Sequence, residues 1–352
     1  MKKNLLAIAV GAALASPMMM PGAALADGPT VYGKVNLSLE NVEDQIGAGN
    51  TQTDAQWQLD SNASRLGVKG DFDLDVGGLK AFYKAEFEIH PDDGIEASGA
   101  DTDQVIDQRD IYGGVEGAFG AIQAGYFDSP LKDAQMDVDQ FNDLDGDIKN
   151  ILAGENRYSN QVMYSTPKLA DMITLNASFI PGEGDDQDGD GQAEDGLADA
   201  TSISIVLEKD IFYAGVARDT DVEDELLTDE TGTSPTLDIT RLVAGVNPGD
   251  FELGALYQVA EEAEGDGEET SYLLSGAFNI DRVKLKAQYG LTEGDQSEDE
   301  LNLMAVGADY KLSKASKIYT YYSLVTLEPN MANAEDMDTT IRRAFFVGVS
   351  IA

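Results

Sequence analysis

Apolar and polar side chains alternate over long stretches of this chain. In VYGKVNLSLE, residues 31–40, the odd positions carry Val, Gly or Leu, and the even ones carry polar side chains or tyrosine. The same period of two runs through LKAFYKAEFEIH, residues 79–90, and VKLKAQY, residues 283–289. Successive side chains of a β-strand point to opposite faces. The pattern therefore predicts strands of about ten residues with one apolar and one polar face, which is typical of strands that cross a membrane.

Sixteen such segments follow one another, and the connections between them alternate between short turns and long acidic loops. An even number of strands with this alternation predicts an all-β fold, a 16-stranded antiparallel transmembrane β-barrel. In such a barrel the short turns are periplasmic and the long loops extracellular. A secreted, soluble β-sandwich also alternates and is the competing interpretation.

Five glycines fall within IYGGVEGAFGAIQAGYF, residues 111–127. A glycine loop that binds phosphate lies between a strand and a helix. Here the alternation continues after the glycines, and no helical pattern follows. The stretch therefore predicts two strands joined at Gly117-Ala118-Phe119-Gly120.

The N-terminus and the composition define where the protein acts. Residues 1–26 have two lysines, an apolar run and an Ala-Leu-Ala site, so they predict a cleaved signal peptide and a mature barrel of residues 27–352. The chain has no cysteine, and its formal net charge is −42. Such an acidic protein repels nucleic acid phosphates, so we expect no nucleic acid partner. No stretch after residue 26 approaches 18 apolar residues, which leaves strands as the only predicted membrane spans.

Several stretches resemble the general diffusion porins of Gram-negative bacteria, which are trimers of 16-stranded barrels. The matching stretches are VYGKVNLSLE, SRLGVKGDFDLDVGGLKAFYKAEFE, RDIYGGVEGAFGAIQAGYFDSPL, NRYSNQVMYSTP and VGADYKLSKASKIYTYYS. The resemblance implies a homotrimer in the outer membrane, surrounded by lipid and lipopolysaccharide, through which small hydrophilic solutes and ions diffuse passively. It also implies that the third long loop, residues 128–155, folds into the barrel and narrows the pore.

The same resemblance implies which residues line the constriction. Arg65, Arg109 and Arg157 match the basic cluster of the barrel wall in this family, and Lys34 matches a further lumen lysine. The alternation places Lys34, Arg65 and Arg157 on the polar face. It places Arg109 on the lipid side, where a charge near the midplane costs roughly 2–4 kcal/mol. Either a bulge re-aims Arg109, or this residue lies beyond the apolar band.

The acids that face this cluster are not defined by a motif. Asp133, Asp137, Asp139 and Asp143 are candidates because of their distance along the loop from Arg157, although they fit solvated loop charges nearly as well. Acids outnumber bases in this loop, so we expect a mild preference for cations at low salt.

A second acidic segment, DQDGDGQAEDGL, begins like a calcium-binding loop. Asp186, Asp188 and Asp190 occupy the first ligand positions, but Leu197 replaces the final glutamate. A weak calcium or magnesium site and a hydrated acidic loop are both compatible with it, and no other cofactor is expected. The single histidine, His90, offers little for catalysis, so an enzyme is not predicted. The alternative function is a secreted, calcium-binding, β-rich adhesion protein.

Overall fold

The computed structural model describes residues 28–46, 51–52, 55–92, 105–182, 196–224, 236–295, 299–328 and 340–352. Within these residues, sixteen strands form one antiparallel sheet, and the first strand pairs with the last. The sheet is therefore a closed barrel, as the alternation predicted. The predicted signal peptide, residues 1–26, lies outside the described residues.

The strands are β1 (Thr30–Ile46), β2 (Thr51–Gln52, Gln56–Ser61 and Arg65–Asp73), β3 (Lys80–Ile89), β4 (Ile106–Gly117), β5 (Gly120–Asp128), β6 (Arg157–Ser165), β7 (Ile173–Ile180), β8 (Ala200–Lys209), β9 (Phe212–Glu223), β10 (Thr236–Val246), β11 (Phe251–Glu262), β12 (Glu268–Ile280), β13 (Val283–Gly294), β14 (Glu300–Lys311), β15 (Ser316–Glu328) and β16 (Thr340–Ile351). The three pieces of β2 all pair with β1 and act as one strand. Among the described residues, no helix has the length and apolar character of a membrane span.

One end of the barrel carries short turns. Residues 118–119, 210–211 and 281–282 each join two strands there. The glycine-rich stretch forms the predicted hairpin, because Gly117 pairs with Gly120 across the β4–β5 turn. Gly120 has a φ of +110°, and a Cβ at this position would lie 2.1 Å from the carbonyl oxygen of Ser165, so a residue without a side chain is required.

The outer face of the barrel is apolar. Leu39, Val216, Leu274 and Val347 are each at least half exposed and point away from the lumen. Their chain neighbours point inward and are buried or half-buried in the barrel interior. In a transmembrane barrel this outward band contacts lipid hydrocarbon.

The connection between β5 and β6, residues 129–156, folds into the barrel; we call it loop L3. It contains a short helix, α1 (Pro130–Asp133), and a 3-10 turn at Ile148–Asn150. It contains all but the first residue of the segment 128–155 that was expected to narrow the pore, and that role stays a prediction. Its larger buried apolar side chains are Leu131, Val138, Phe141, Leu144, Ile148, Ile151 and Leu152.

These apolar side chains attach L3 to one side of the barrel. They pack against lumen-facing apolar residues of β7 to β16, such as Ile239, Leu273, Leu303 and Tyr321. Full burial of a side chain of this size contributes roughly 1.5–3 kcal/mol. The apolar edge of L3 is therefore fixed to the wall of β7 to β16, and its polar edge faces the wall formed by β1 to β6.

Candidate functional site

Hydrogen bonds within L3 fix the path of its backbone. The Ser129 hydroxyl oxygen accepts from the backbone N–H of Lys132 at 3.0 Å, and Pro130 occupies the first turn of α1. The Asp147 carboxylate accepts from the backbone N–H of Lys149 at 2.9 Å and starts the 3-10 turn. These are ordinary N-caps, and each satisfies a backbone donor that the turn leaves free.

A single guanidinium joins both ends of L3 to the wall. Arg241 on β10 is fully buried, and its Nη1 lies 2.6 Å from Oε1 of Glu155. The same side chain donates to the carbonyl oxygens of Ala153 and Leu131, at 3.2 and 3.5 Å, and to Gln258 Oε1 at 2.8 Å. Leu131 and Ala153 lie near opposite ends of the loop, so Arg241 holds both ends in one place.

Opposite the polar edge of L3, neighbouring strands carry a row of basic side chains on the lumen face. We call them the basic row: Lys34 on β1, Arg65 on β2, Lys84 on β3, Arg109 on β4 and Arg157 on β6. The three predicted arginines and the predicted lysine therefore lie on one wall. Lys84 is a further member that the sequence analysis did not select.

Acids on the same wall neutralise much of the basic row. Arg109 pairs with Glu86 at 3.1 Å and with Glu88 at 2.7 Å. Asp110 lies between Lys84 and Arg157, at 2.5 and 3.0 Å. The wall thus presents alternating charges of both signs, and its field is weaker than the arginines alone imply.

Loop L3 contacts the basic row through Asp143. Its Oδ2 lies 3.0 Å from Lys34 Nζ and 3.3 Å from Arg65 Nη2, and its Oδ1 lies 3.9 Å from Arg109. Burial by itself raises the pKa of the Asp143 carboxyl, but the charges of Lys34 and Arg65 outweigh it and hold the pKa below its usual value. Asp143 is therefore ionised at neutral pH and joins L3 to the basic row.

A β-bulge explains the position of Arg109. Along the β3–β4 pair, Ala85 is opposite Ile111 but Phe87 is opposite Gln108, so one extra residue is inserted in β4. Arg109 and its neighbour Asp110 are consequently both buried on the lumen side. The strict alternation, which placed Arg109 on the lipid side, is wrong here because a bulge resets the period.

The other three candidate acids form no salt bridge with the basic row. Asp139 accepts the backbone N–H groups of Phe141 and Ile148 at 2.8 and 3.4 Å, so it shapes the loop, and it also borders a smaller cavity of about 360 Å³ together with Lys34. Asp137 accepts a hydrogen bond from Asn247 Nδ2 at 3.3 Å, at the short-turn end of the barrel. Asp133 is the last residue of α1. Their role in a constriction stays a prediction.

Sequence reasoning missed several charged residues of the wall. Lys84, Glu86 and Glu88 lie on the polar face of residues 79–90, so the alternation contained the signal. Asp110 could not be found in this way because of the bulge. The candidate calcium ligands Asp186, Asp188 and Asp190 lie outside the described residues.

Two cavities lie on either side of L3. One, of about 850 Å³, lies between the polar edge of L3 and the basic row; of the described residues, six basic and ten acidic side chains line it. The other, of about 980 Å³, lies towards the short-turn end and is lined by residues such as Lys168, Asp210 and Tyr213. Asp133 borders both cavities.

Comparisons with known proteins agree with the closed 16-stranded barrel. The family model described as Gram-negative porin matches residues 11–328. The chain belongs to the Gram-negative porin family. The major outer membrane protein P.IB of Neisseria sicca is 24% identical to this porin in an alignment 347 residues long, which covers 89% of this chain and 91% of that protein.

Solved structures show the same fold. An anion-selective porin from Comamonas acidovorans has a TM-score of 0.66 at 17% identity and covers 92% of this porin and 99% of its own chain. The trimer form of OmpT from Vibrio cholerae has a TM-score of 0.58 at 18% identity, with the same coverage. This porin is therefore an outer-membrane protein, and its family and fold indicate a channel without enzymatic activity.

Proposed function

We propose that this porin forms a water-filled channel through which small hydrophilic solutes and ions diffuse passively across the outer membrane. The observation that carries the proposal is the position of L3. The loop is fixed to the wall of β7 to β16, and charged cavities remain on both of its sides, with Asp133 bordering each. A lumen whose lining is mostly polar and charged stays hydrated and lets hydrophilic solutes pass without a large apolar pocket to bind them.

The protein acts as a homotrimer in this proposal. The trimeric form of the related OmpT fold supports it. Apolar side chains such as Leu39 and Val347 cover the outer face, as contacts with neighbouring protomers and with outer-membrane lipid require. Lipopolysaccharide is the expected partner in the outer leaflet. A trimer that resists SDS at room temperature and dissociates on heating supports this part of the proposal, and a monomeric channel in mild detergent contradicts it.

The channel prefers cations weakly in this proposal. Acidic side chains outnumber basic ones in the cavity beside the constriction, and every member of the basic row lies within salt-bridge distance of at least one carboxylate. The anion selectivity of the Comamonas porin belongs to that protein and does not carry over at this identity.

Measurements in planar bilayers and liposomes test both the open channel and its cation preference. We expect open channels whose conductance rises with salt, and liposomes that swell with small sugars but progressively less with larger ones. A zero-current potential across a potassium chloride gradient near 0.1 M should indicate mild cation preference, which fades as salt screens the charges. Arg65→Ala and Arg157→Ala should increase the preference. Folded trimers that pass no solute would refute the channel, and an anion-selective potential would refute the selectivity.

A further inference from the structure

Three carboxylates meet where the tip of L3 touches the wall of the barrel. Glu40 lies on β1, Asp60 on β2 and Asp145 on L3, and one oxygen of each lies within 4.8 Å of the other two. They come from three separate parts of the chain, so the folding of L3 into the barrel brings them together. None of them belongs to the basic row or to its partners described above.

Glu40 shows that this cluster differs from a surface patch of acids. The residue has no exposed surface, and its Oε1 accepts from the Ser38 hydroxyl at 2.5 Å. Gln58, which is opposite Glu40 in the β1–β2 pair, also hydrogen-bonds to this carboxylate through its side chain. The other oxygen of Glu40, Oε2, is also buried and has no hydrogen-bond partner among the described residues. A buried carboxylate oxygen without a donor costs a large part of its hydration free energy.

The spacing of the three oxygens suits one calcium ion. Ca²⁺ binds oxygen ligands at about 2.3–2.6 Å, so ligands on opposite sides of the ion are up to about 5 Å apart. Mg²⁺ requires shorter bonds of about 2.0–2.1 Å and a stricter octahedron. Asp60 and Asp145 border the cavity of about 850 Å³, which gives an ion access and leaves room for water ligands. Glu40 lies behind them and closes the site from the wall side.

We propose that Glu40, Asp60 and Asp145 form a calcium site that fastens the tip of L3 to β1 and β2. The ion supplies the partner that Glu40 Oε2 lacks and offsets the repulsion between three carboxylates. This site is distinct from the acidic segment with Asp186, and it adds a divalent cation to the groups that hold the loop in place. The proposal goes beyond passive diffusion and does not depend on it.

Calcium binding to the purified, folded protein tests the proposal. Calcium bound per chain is measured by equilibrium dialysis after EDTA treatment, in 0.5 M sodium chloride to suppress binding to scattered acids. The test variants are Glu40→Gln and Asp145→Asn. Asp137→Asn is the matched control, because it removes one charge from the same loop at a position outside the cluster. We expect wild type and the control to bind one more calcium ion per chain than either test variant, with a dissociation constant of about 0.1–1 mM.

Thermal unfolding supplies a second test. A calcium-dependent difference in melting temperature between wild type and variant is not expected if the three carboxylates have only a structural role. In EDTA, Glu40→Gln should melt at a higher temperature than wild type, since the amide keeps the Ser38 hydrogen bond and removes one repelling charge. In 10 mM calcium chloride the melting temperature of the wild type should rise by more than that of Glu40→Gln. The difference between the two melting temperatures should therefore shrink or reverse. Equal calcium numbers in wild type and Glu40→Gln would overturn the proposal, as would equal calcium-induced shifts. A cluster that merely shares a proton gives that result.

Discussion

The buried guanidinium of Arg241 gives the sharpest prediction about loop L3. Replacing it with methionine in Arg241→Met keeps most of the side-chain volume and removes the charge and its donors. The variant can no longer form the ion pair with Glu155, the hydrogen bonds to the Leu131 and Ala153 carbonyls, or the hydrogen bond to Gln258. Because the first three of these interactions belong to L3, we expect the loop to open locally while the barrel stays closed.

The size of the effect follows from the burial of the pair. Removing one partner of a buried ion pair destabilises by about 3–5 kcal/mol, because the other charge stays buried without compensation. Burial already raises the pKa of the Glu155 carboxyl, and Arg241 opposes that rise. Without Arg241 the pKa rises further. A carboxyl whose pKa is raised in the closed loop makes that state less stable as pH rises above the ordinary pKa of a glutamate, so the penalty of the variant should grow as the pH rises from acidic towards neutral.

Hydrogen exchange of loop amides measures this directly. The N–H groups of Leu131 and Gln140 donate to Ser202 and Gln288 on the wall, so they exchange only when L3 leaves it. A loss of about 3–5 kcal/mol corresponds to exchange that is faster by about two to four orders of magnitude.

Two further variants test whether the uncompensated charge of Glu155 causes the faster exchange in Arg241→Met. Arg218→Met is the matched control, since Arg218 is 41% exposed, pairs with Asp238 and does not touch L3; we expect at most about fivefold faster exchange. The double variant Arg241→Met with Glu155→Gln should recover much of the protection, because no uncompensated charge remains. If it exchanges as fast as the single variant, or if the effect is independent of pH, the reasoning is wrong.

Other perturbations of the loop and of the charges have equally definite outcomes. Asp143→Asn leaves Lys34 and Arg65 without their loop partner, so the zero-current potential should move towards anions; an unchanged potential contradicts the assigned contact. At Gly290 an added Cβ would meet the Ile151 side chain at 2.2 Å, so Gly290→Val should destabilise the loop by about 1–3 kcal/mol and speed exchange of the Ile151 amide. Finally, because the chain carries 65 acids and 23 bases, its melting temperature should rise with sodium chloride as repulsion is screened over a Debye length of about 3 Å at 1 M. A flat or falling melting curve would show that repulsion is not limiting.

The sequence predicted the barrel because each strand has one face towards lipid and one towards the lumen. Apolar and polar side chains therefore alternate with a period of two. The strict alternation failed at Arg109, where a single inserted residue brings two neighbours to the same face; this bulge is the first of the two explanations considered for that residue. The sequence also could not distinguish the roles of Asp143 and Asp139, because the position of a residue along a loop does not show where its side chain points. Asp139 turns back to its own backbone, and Asp143 turns to the wall.

The anchoring of L3 was equally hard to predict. The lumen face of β10 reads Leu237, Ile239, Arg241 and Val243, which is apolar where the general pattern requires a polar face. This departure becomes meaningful only once the loop is known to cover it. The signal in the sequence was an arginine between apolar neighbours. Only the folded arrangement shows that this arginine contacts both ends of L3.

The arrangement of L3 divides the barrel into two arcs with different evolutionary freedom. The arc from β7 to β16 supplies the apolar surface and Arg241, and a change there alters how firmly the loop is held. The arc from β1 to β6 supplies the basic row and its acidic partners, and most of these charges pair with one another more than they touch the loop. Substitutions within the basic row and its wall partners can change which ions pass while Arg241 and the apolar packing still hold the loop, so permeability can diverge between relatives faster than architecture.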